Sequence, residues 1–494
     1  VGYIQEQFMA DKFRHRLIPI HAGILITFAL LPVWLRFKPS PGSFDPLYSV
    51  GFVLFWPMMW TVGWWLLTGL PGFRELRRDR LRSWWAFTLL LLVCLAFLSW
   101  SWAYTREFRP EIVIGAALPF AMSALFALVV ACVGPPAKWI VAVMVIGLLV
   151  NSVVAGWQVA RQGPISDGFL GEFNINPANS GVGVVQSGNI RWLRPYGFLP
   201  HPNMLAGYLA VGCLGALAWV WSGKRARRWA GTAIFLIGLW ALLLSFSRAA
   251  WLGFVAGGFA MLPLLLPHPS AFAGAKGIRA KIPALQRTFN TPALRQFLLT
   301  MGLAFLAVGF FTVLYHPFLA ARTGAGSESI ELRSVSDRLV YSDMAYQAIT
   351  ESPILGVGIG NFPWLASYQL ALTDFDLRGQ PVHHVLLSAW AELGLIGFVL
   401  TAGMVILGVE AVLRAVRKGN LTGHPYITPS PLINTDHIRE GLKPSLTDNH
   451  FARVAMLAGV IALMVIGLLD HYPWTLMHFQ VLWFALLAAA GKPD

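Results

Sequence analysis

Apolar stretches dominate the chain, and their lengths match a lipid bilayer. Runs of roughly 17 to 25 apolar residues can cross the hydrocarbon as helices, because only a helix satisfies its own backbone polar groups there. Twelve such runs occur, at about 17–35, 49–70, 83–102, 111–133, 139–160, 203–222, 229–245, 249–267, 297–315, 393–413, 452–470 and 473–490. They predict an all-α polytopic membrane protein forming one integral domain, 1–494. Two large polar segments, 161–202 and 316–392, fall on one side of this pattern, where the other connections are short turns. A third, 414–451, falls on the other side. Within the second, the helical spacing of Arg338 to Ile349, stopped by Pro353 and Gly356, predicts a helix lying on the bilayer surface.

Composition agrees with lipid as the solvent. Of 494 residues, 56% are hydrophobic and 12% charged, whereas charged residues approach a quarter of soluble proteins. The formal charge of +14 would point to nucleic acid in a soluble domain, so the placement of the basic residues decides its meaning. With the N-terminus inside, the inner segments hold 25 of the 37 Lys and Arg, including Arg74, Arg77, Arg78, Arg80 and Arg82. That is the positive-inside pattern, with both termini cytoplasmic, the large loops 161–202 and 316–392 periplasmic, 414–451 a cytoplasmic loop, and no need of a nucleic-acid partner. The first apolar run lacks a small-residue cleavage site and is expected to be retained. Trp64-Trp65, Trp84-Trp85 and Trp100/Trp102 sit at span ends as interfacial anchors. Cys94, Cys132 and Cys213 lie inside apolar runs without CxxC spacing, which predicts small buried hydrophobes and neither a disulfide nor a zinc site.

Candidate chemistry concentrates on the outer side. Apart from Lys38, every outer basic residue is Arg, whose planar fork grips phosphate bidentately; outward arginines around a cleft therefore point to a polyanionic ligand. Arg191, Arg194, Arg248 and Arg338 stand out, Arg248 because it occupies the very short turn between two spans. The bland alternative is an Arg held by lipid headgroups or a neighbouring carboxylate. His383 and His384 start the helix leading into the tenth span, and one imidazole there could remove a proton from a hydroxyl, although an interfacial His is often structural. Asp470-His471, in the last outer turn, offers a partner. Gly356-Val357-Gly358-Ile359-Gly360 has the look of a phosphate loop, but without a framing strand and helix it reads as a turn. Asp374-Phe375-Asp376 resembles a metal-bound sugar-diphosphate motif; two carboxylates make a poor divalent site, and a solvated loop is expected.

Several motifs taken together resemble the O-antigen ligase and polymerase superfamily of bacterial envelope membrane proteins. They are Arg194-Pro195-Tyr196-Gly197 followed by His201-Pro202-Asn203-Met204-Leu205-Ala206; Ser245-Phe246-Ser247-Arg248-Ala249-Ala250; Arg338 upstream of Pro353-Ile354-Leu355-Gly356-Val357-Gly358; and His383-His384 with Leu387 before Glu392 and Gly394-Leu395-Ile396-Gly397. They span about residues 190 to 400. The chain departs from the family in carrying His384 where members have Asn after the histidine, so the family histidine falls on His383.

The resemblance implies a GT-C-like helical fold in the bacterial inner membrane and a glycan donor linked to undecaprenyl diphosphate. It implies lipid A-core as the acceptor of a ligase, with no metal, cofactor or nucleotide at the site. Arg194 and Arg248, helped by Arg191 and Arg338, are then expected to hold the diphosphate, with His383 as general base of an inverting transfer on the periplasmic side. His201, Asn203, His384 and Glu392 are supporting positions. Members that glycosylate proteins carry a longer outer region after the last spans, so the ending here favours ligase or polymerase. An O-antigen polymerase would use the same donor. A lipid-glycan transporter would place its charges along a path within the spans rather than at one surface.

Overall fold

A computed structural model gives the fold. It describes residues 17–36, 49–165, 175–265, 291–322, 329–371, 379–422 and 448–492. Asp374-Phe375-Asp376, Lys38, the basic residues of 1–16 and 266–290 and most of segment 414–451 lie outside them.

In chain order the helices are α1 (Leu17–Leu30), α2 (Phe55–Leu67), α3 (Phe73–Arg78), α4 (Arg80–Leu98), α5 (Glu111–Val133), α6 (Ala137–Arg161), α7 (Pro202–Val220), α8 (Arg225–Leu244) and α9 (Arg248–Leu265). They continue with α10 (Pro292–Leu314), α11 (His316–Arg322), α12 (Ser329–Glu351), α13 (Phe362–Ala371), α14 (Val385–Thr422), α15 (Asp448–Gly467), α16 (Tyr472–Thr475) and α17 (Met477–Gly491). Among the described residues nine are long and apolar enough to cross a membrane: α4 to α10, α14 and α15. The protein is an all-α polytopic membrane protein. The expected spans at 17–35, 49–70 and 473–490 are shorter as helices than as apolar runs, and prolines explain why. Pro32 follows the end of α1, Pro57 sits in the first turn of α2, and Pro473 opens the separate turn α16. The helix expected from Arg338 to Ile349 is part of α12, which starts earlier, at Ser329, and ends at Glu351 just before Pro353.

The 161–202 segment holds an antiparallel hairpin, β1 (Val184–Ser187) with β2 (Ile190–Leu193), joined through Gly188 at φ +56°. Alternation over four residues is too short to have announced it.

Burial separates the centre of the bundle from its lipid face. Within their most apolar windows α7 and α15 are 83% buried, against 22% for α10, whose exposed Phe305, Phe310 and Val313 face outward. α9 packs on α15 through Gly253 and Gly257: a Cβ there would come within 2.6 Å of the Ala462 carbonyl and 2.5 Å of the Ala458 carbonyl. Small residues at this four-residue spacing let two backbones touch in lipid, where packing rather than hydrophobic burial holds helices together. Gly257→Leu is expected to part α9 from α15 at a cost of about 1–3 kcal/mol. A melting temperature in detergent equal to that of the parent would contradict that contact.

The connections sort to two ends of the bundle. At one end the 99–109 loop meets the 353–361 loop, where the Tyr104 amide donates to the Val357 carbonyl (2.8 Å) and Trp102 Nε1 to the Leu355 carbonyl (3.0 Å). At the other, Asp448 pairs with Arg227 and accepts from Ser222 Oγ. The described candidate residues lie at the first end.

Candidate active site

The motif beginning at Arg194 is seated by polar residues of α6. Gln158 Oε1 accepts from the amides of Tyr196 and Gly197 (both 2.9 Å) while its Nε2 donates to the Gly197 carbonyl (3.0 Å). Gly197, at φ +58°, lies so close to α6 that a Cβ would meet Asn151 Oδ1 at 2.6 Å. Asn151 and Gln158 were absent from the sequence expectations. Their signal was available: an amide side chain buried inside an apolar span is costly and seldom idle.

From this seat a continuous polar chain crosses the end of the bundle. Arg194, 5% exposed, donates from Nε to the Ser245 carbonyl (2.6 Å) and from Nη2 to Asn203 Oδ1 (2.6 Å). Asn203 Nδ2 donates to Asp470 Oδ2 (3.0 Å), and the His471 amide to Asp470 Oδ1 (2.9 Å). His471 Nδ1 lies 2.8 Å from Thr475 Oγ1. The His471 ring stands edge-on to that of His383, centroids 5.1 Å apart, and Tyr341 of α12 flanks His383 at 6.4 Å. The 190s motif, the α8–α9 turn, the α15–α16 turn and the start of α14 thus meet in one place.

His383 and His384 both precede α14, which begins at Val385, so their divergence comes from the cap and not from helical rotation. His384 Nδ1 accepts from the Leu387 amide (3.2 Å) and is committed to capping. The His383 ring instead faces Asp470 and His471, and its Nδ1 is buried without a hydrogen-bond partner. Burial, and then the positive potential of His471, push His383 down to about 4; Asp470 opposes this shift and Arg338 adds to it. Burial would raise Asp470, but the combined fields of His471, His383, Arg338 and His201 outweigh it and hold the carboxyl below its ordinary value. His201 caps α7, its Nδ1 accepting from the Asn203 amide (3.1 Å). Burial and Arg194 push it to about 3, which leaves it a neutral acceptor.

The remaining arginines surround this centre. Arg248 Nη1 donates to the Arg322 carbonyl (2.8 Å), and Arg322 Nε to the Phe246 carbonyl (3.1 Å). Phe246 holds φ +49°, a conformation a bulky residue rarely adopts, in the turn whose Ser245 and Phe246 carbonyls receive Arg194 and Arg322. Arg191 donates to the carbonyls of Pro177 (2.7 Å) and Asn179 (3.2 Å), tying the hairpin to its own loop. Arg338, half-buried on α12, is near enough to act on His383, Asp470 and His471.

Glu392 supports the site from behind. Its carboxylate accepts from Trp474 Nε1 (3.2 Å) and feels the backbone of Gly360 and Phe362 at the start of α13. The glycine run is a turn, as expected: a helix follows it, but among the described residues no strand precedes it, and an internal carboxylate lies beside it. Gly356, Gly358 and Gly360 all have positive φ. They let the loop dock on α14 at Gly394 (φ +66°), where a Cβ would lie 2.0 Å from the Ile354 carbonyl.

His383, Asp470 and His471 bring one ligand atom each within 4.8 Å of one another, a set that could hold a metal. Both Asp470 oxygens already accept protein hydrogen bonds and His471 Nδ1 is engaged with Thr475, so the trio fits an imidazole and its carboxylate partner better than a metal centre.

Residues 233–402 match the family described as O-antigen ligase. The matched stretch runs from α8 into α14 and contains Arg248, Arg338, His383 and Glu392. The match covers about a third of the chain, which is similar to that family over this stretch. That likeness supports a ligase- or polymerase-type, glycosyltransferase-like activity. Arg194, Asn203, Asp470 and His471 lie outside the match and join the site through the fold alone. No curated protein matches the chain.

Proposed function

We propose that this protein is an O-antigen ligase, transferring a glycan from undecaprenyl diphosphate to lipid A-core by an inverting, metal-independent reaction. The observation that carries the mechanism is His383: a neutral imidazole with an unpartnered Nδ1, beside the Asp470–His471 pair, at the bundle end where the arginines collect. Donor diphosphate binds against Arg338 and Arg248, which are less buried than Arg194. Arg194 contributes its field and fixes Asn203 and Asp470. His383 takes the proton of an acceptor hydroxyl as the oxygen attacks the anomeric carbon. The bond to the diphosphate oxygen breaks on the opposite face, and the arginines stabilise the departing anion. Asp470 steadies the imidazolium. The positive-inside distribution of Lys and Arg supports an inner-membrane protein with cytoplasmic termini and this site on the periplasmic side. Reconstitution with lipid-linked glycan donor tests the reading: glycan appearing on lipid A-core supports a ligase, and extension of a second lipid-linked glycan with no transfer to lipid A-core overturns it in favour of a polymerase.

The low proton affinity of His383 gives a pH signature. The base is competent while neutral, so kcat/KM, which reports the free enzyme, should hold as pH falls below the ordinary 6.5 and be lost only near about 4. Arg338→Gln removes a positive charge that disfavours protonation, so the acid limb should move to higher pH. An unmoved limb would detach Arg338 from the ring.

Prior chelation should leave transfer unchanged. Activity lost to a chelator and restored by zinc would instead make the His383, Asp470 and His471 trio a metal site.

A further inference from the structure

An apolar groove of about 350 Å³ adjoins the candidate site, between α14, α15 and Trp483 of α17. α14 leaves helical geometry at Gly394 (φ +66°, ψ −170°) and continues as a second helical piece. The groove takes Val385 from the first piece and Ala402 and Ile406 from the second, and faces the stretch of α15 from Ile461 to Leu468. Every residue along it is apolar. Val385 packs on Gly467, where a Cβ would come within 3.0 Å of it. Trp483, 3% exposed, belongs to the floor, whereas Ile406 and Leu468, at 66% and 49%, border the lipid. Val385 comes two residues after His383, and Leu468 two before Asp470. Two residues span at most about 7 Å, so the outer end of the groove abuts the imidazole and its carboxylate partner. From there the wall of α15 descends about 10 Å, at 1.5 Å per residue, through the outer third of a hydrocarbon core about 30 Å thick.

Two lipids meet in the reaction proposed above, and their linkages differ in one respect that matters here. In the donor, hydrocarbon begins one diphosphate away from the anomeric carbon under attack. In the acceptor, a core oligosaccharide separates the attacking hydroxyl from the acyl chains. The donor's chain is therefore the one that must start beside His383. We propose that the groove holds the isoprene units of the donor nearest its diphosphate, an inference that rests on the reading of the donor as a lipid diphosphate. The chain is in hydrocarbon with or without the groove, so binding there brings little hydrophobic gain. What the groove supplies is placement: a chain held along α15 sets the diphosphate against Arg338 and Arg248 and the scissile bond before His383. Ala402, Ile406 and Met464 then determine which lipid diphosphates are used.

Photolabelling of the purified full chain in phosphatidylcholine vesicles tests this, with undecaprenyl diphosphate carrying a diazirine on the isoprene unit next to the diphosphate as the probe. Label should map to Ile406, Met464 and Leu468, and about a tenfold excess of unlabelled undecaprenyl diphosphate should reduce it about tenfold by mass action. Filling the groove gives a second arm. A misfit of one methylene in an apolar pocket costs about 10–200-fold in kcat/KM, so Ala402→Phe, at a partly exposed position, should lower kcat/KM for the prenyl-linked donor at least about tenfold. Slow transfer from the same glycan diphosphate esterified with methyl should be unchanged, which also shows that the variant folds. Met464→Trp should behave likewise, and Phe305→Ala, on the lipid face of α10, should alter neither rate. Label on Phe305 and Phe310 as strong as in the groove, or label that the competitor leaves in place, means bulk lipid and overturns the proposal. Capture there of lipid A with a diazirine on its acyl chain, in place of the prenyl probe, overturns it in favour of the acceptor. Parental kcat/KM for the prenyl-linked donor in both groove variants overturns it as well. If the parent transfers no glycan at all, the function proposed above fails, and the labelling alone decides the groove.

Discussion

Replacing His383 by alanine is expected to cut glycan transfer about 10²–10⁴-fold, the usual contribution of a general base, while the protein still inserts and folds. The ring is half-buried between Tyr341 and His471 and donates no hydrogen bond to the scaffold from Nδ1, so its removal opens a small gap and strands no backbone group. His384→Ala should behave in the opposite way. It deletes the acceptor for the Leu387 amide, costing about 0.5–2 kcal/mol as a lost cap, with little effect on the chemical step. His383→Gln sharpens the contrast, because glutamine keeps polarity and much of the volume but has no basic nitrogen. Initial rates in proteoliposomes, read beside melting temperatures in detergent, separate the two histidines. A glutamine variant transferring at the parental rate would remove the base from position 383.

The ease of reading this chain varied with how local the deciding physics was. Apolar length is a local property, and nine of the twelve expected spans are helices long and apolar enough to cross a membrane, the other three being shorter helices where Pro32, Pro57 and Pro473 intervene. Pro353 and Gly356 likewise marked the C-terminal end of α12 from sequence, although its start at Ser329 lies before the expected Arg338. The division of labour between His383 and His384 was not legible, since it depends on α14 starting at Val385 and on which ring reaches the cap. Asp470-His471 was visible as a polar pair, but its meeting with His383 depends on how α14 and α15 pack. The arginines carry a second role that sequence did not show. A lone Arg in an outer loop looks like a ligand for phosphate, yet Arg191 and Arg194 each hold backbone carbonyls, because a buried loop must satisfy its own backbone before it can bind anything.

That last point sets the outcome for Arg194→Ala, which should lose transfer and much of the fold together. The substitution strands the Ser245 carbonyl and Asn203 Oδ1, both hydrogen-bonded to the guanidinium. It also removes the cation at the head of the chain that leads through Asn203 to the buried Asp470. Breaking a buried charge network from one side costs about 3–5 kcal/mol, a large fraction of the stability of most proteins. Lysine is a poor substitute, since a single ammonium on a flexible stem lacks the planar fork that reaches Ser245 and Asn203 at once; Arg194→Lys should recover folded protein in part and transfer hardly at all. Arg191→Ala is the fitting comparison, because among the described residues that side chain hydrogen-bonds the Pro177 and Asn179 carbonyls of its own loop, and its loss should cost about 0.5–1.5 kcal/mol. Thermal unfolding followed by size-exclusion chromatography, with transfer measured on whatever remains monodisperse, distinguishes the cases. An Arg194→Ala protein that melts and transfers like the parent would remove the buried arginine from both the scaffold and the reaction, and the link from the hairpin to Asp470 with it.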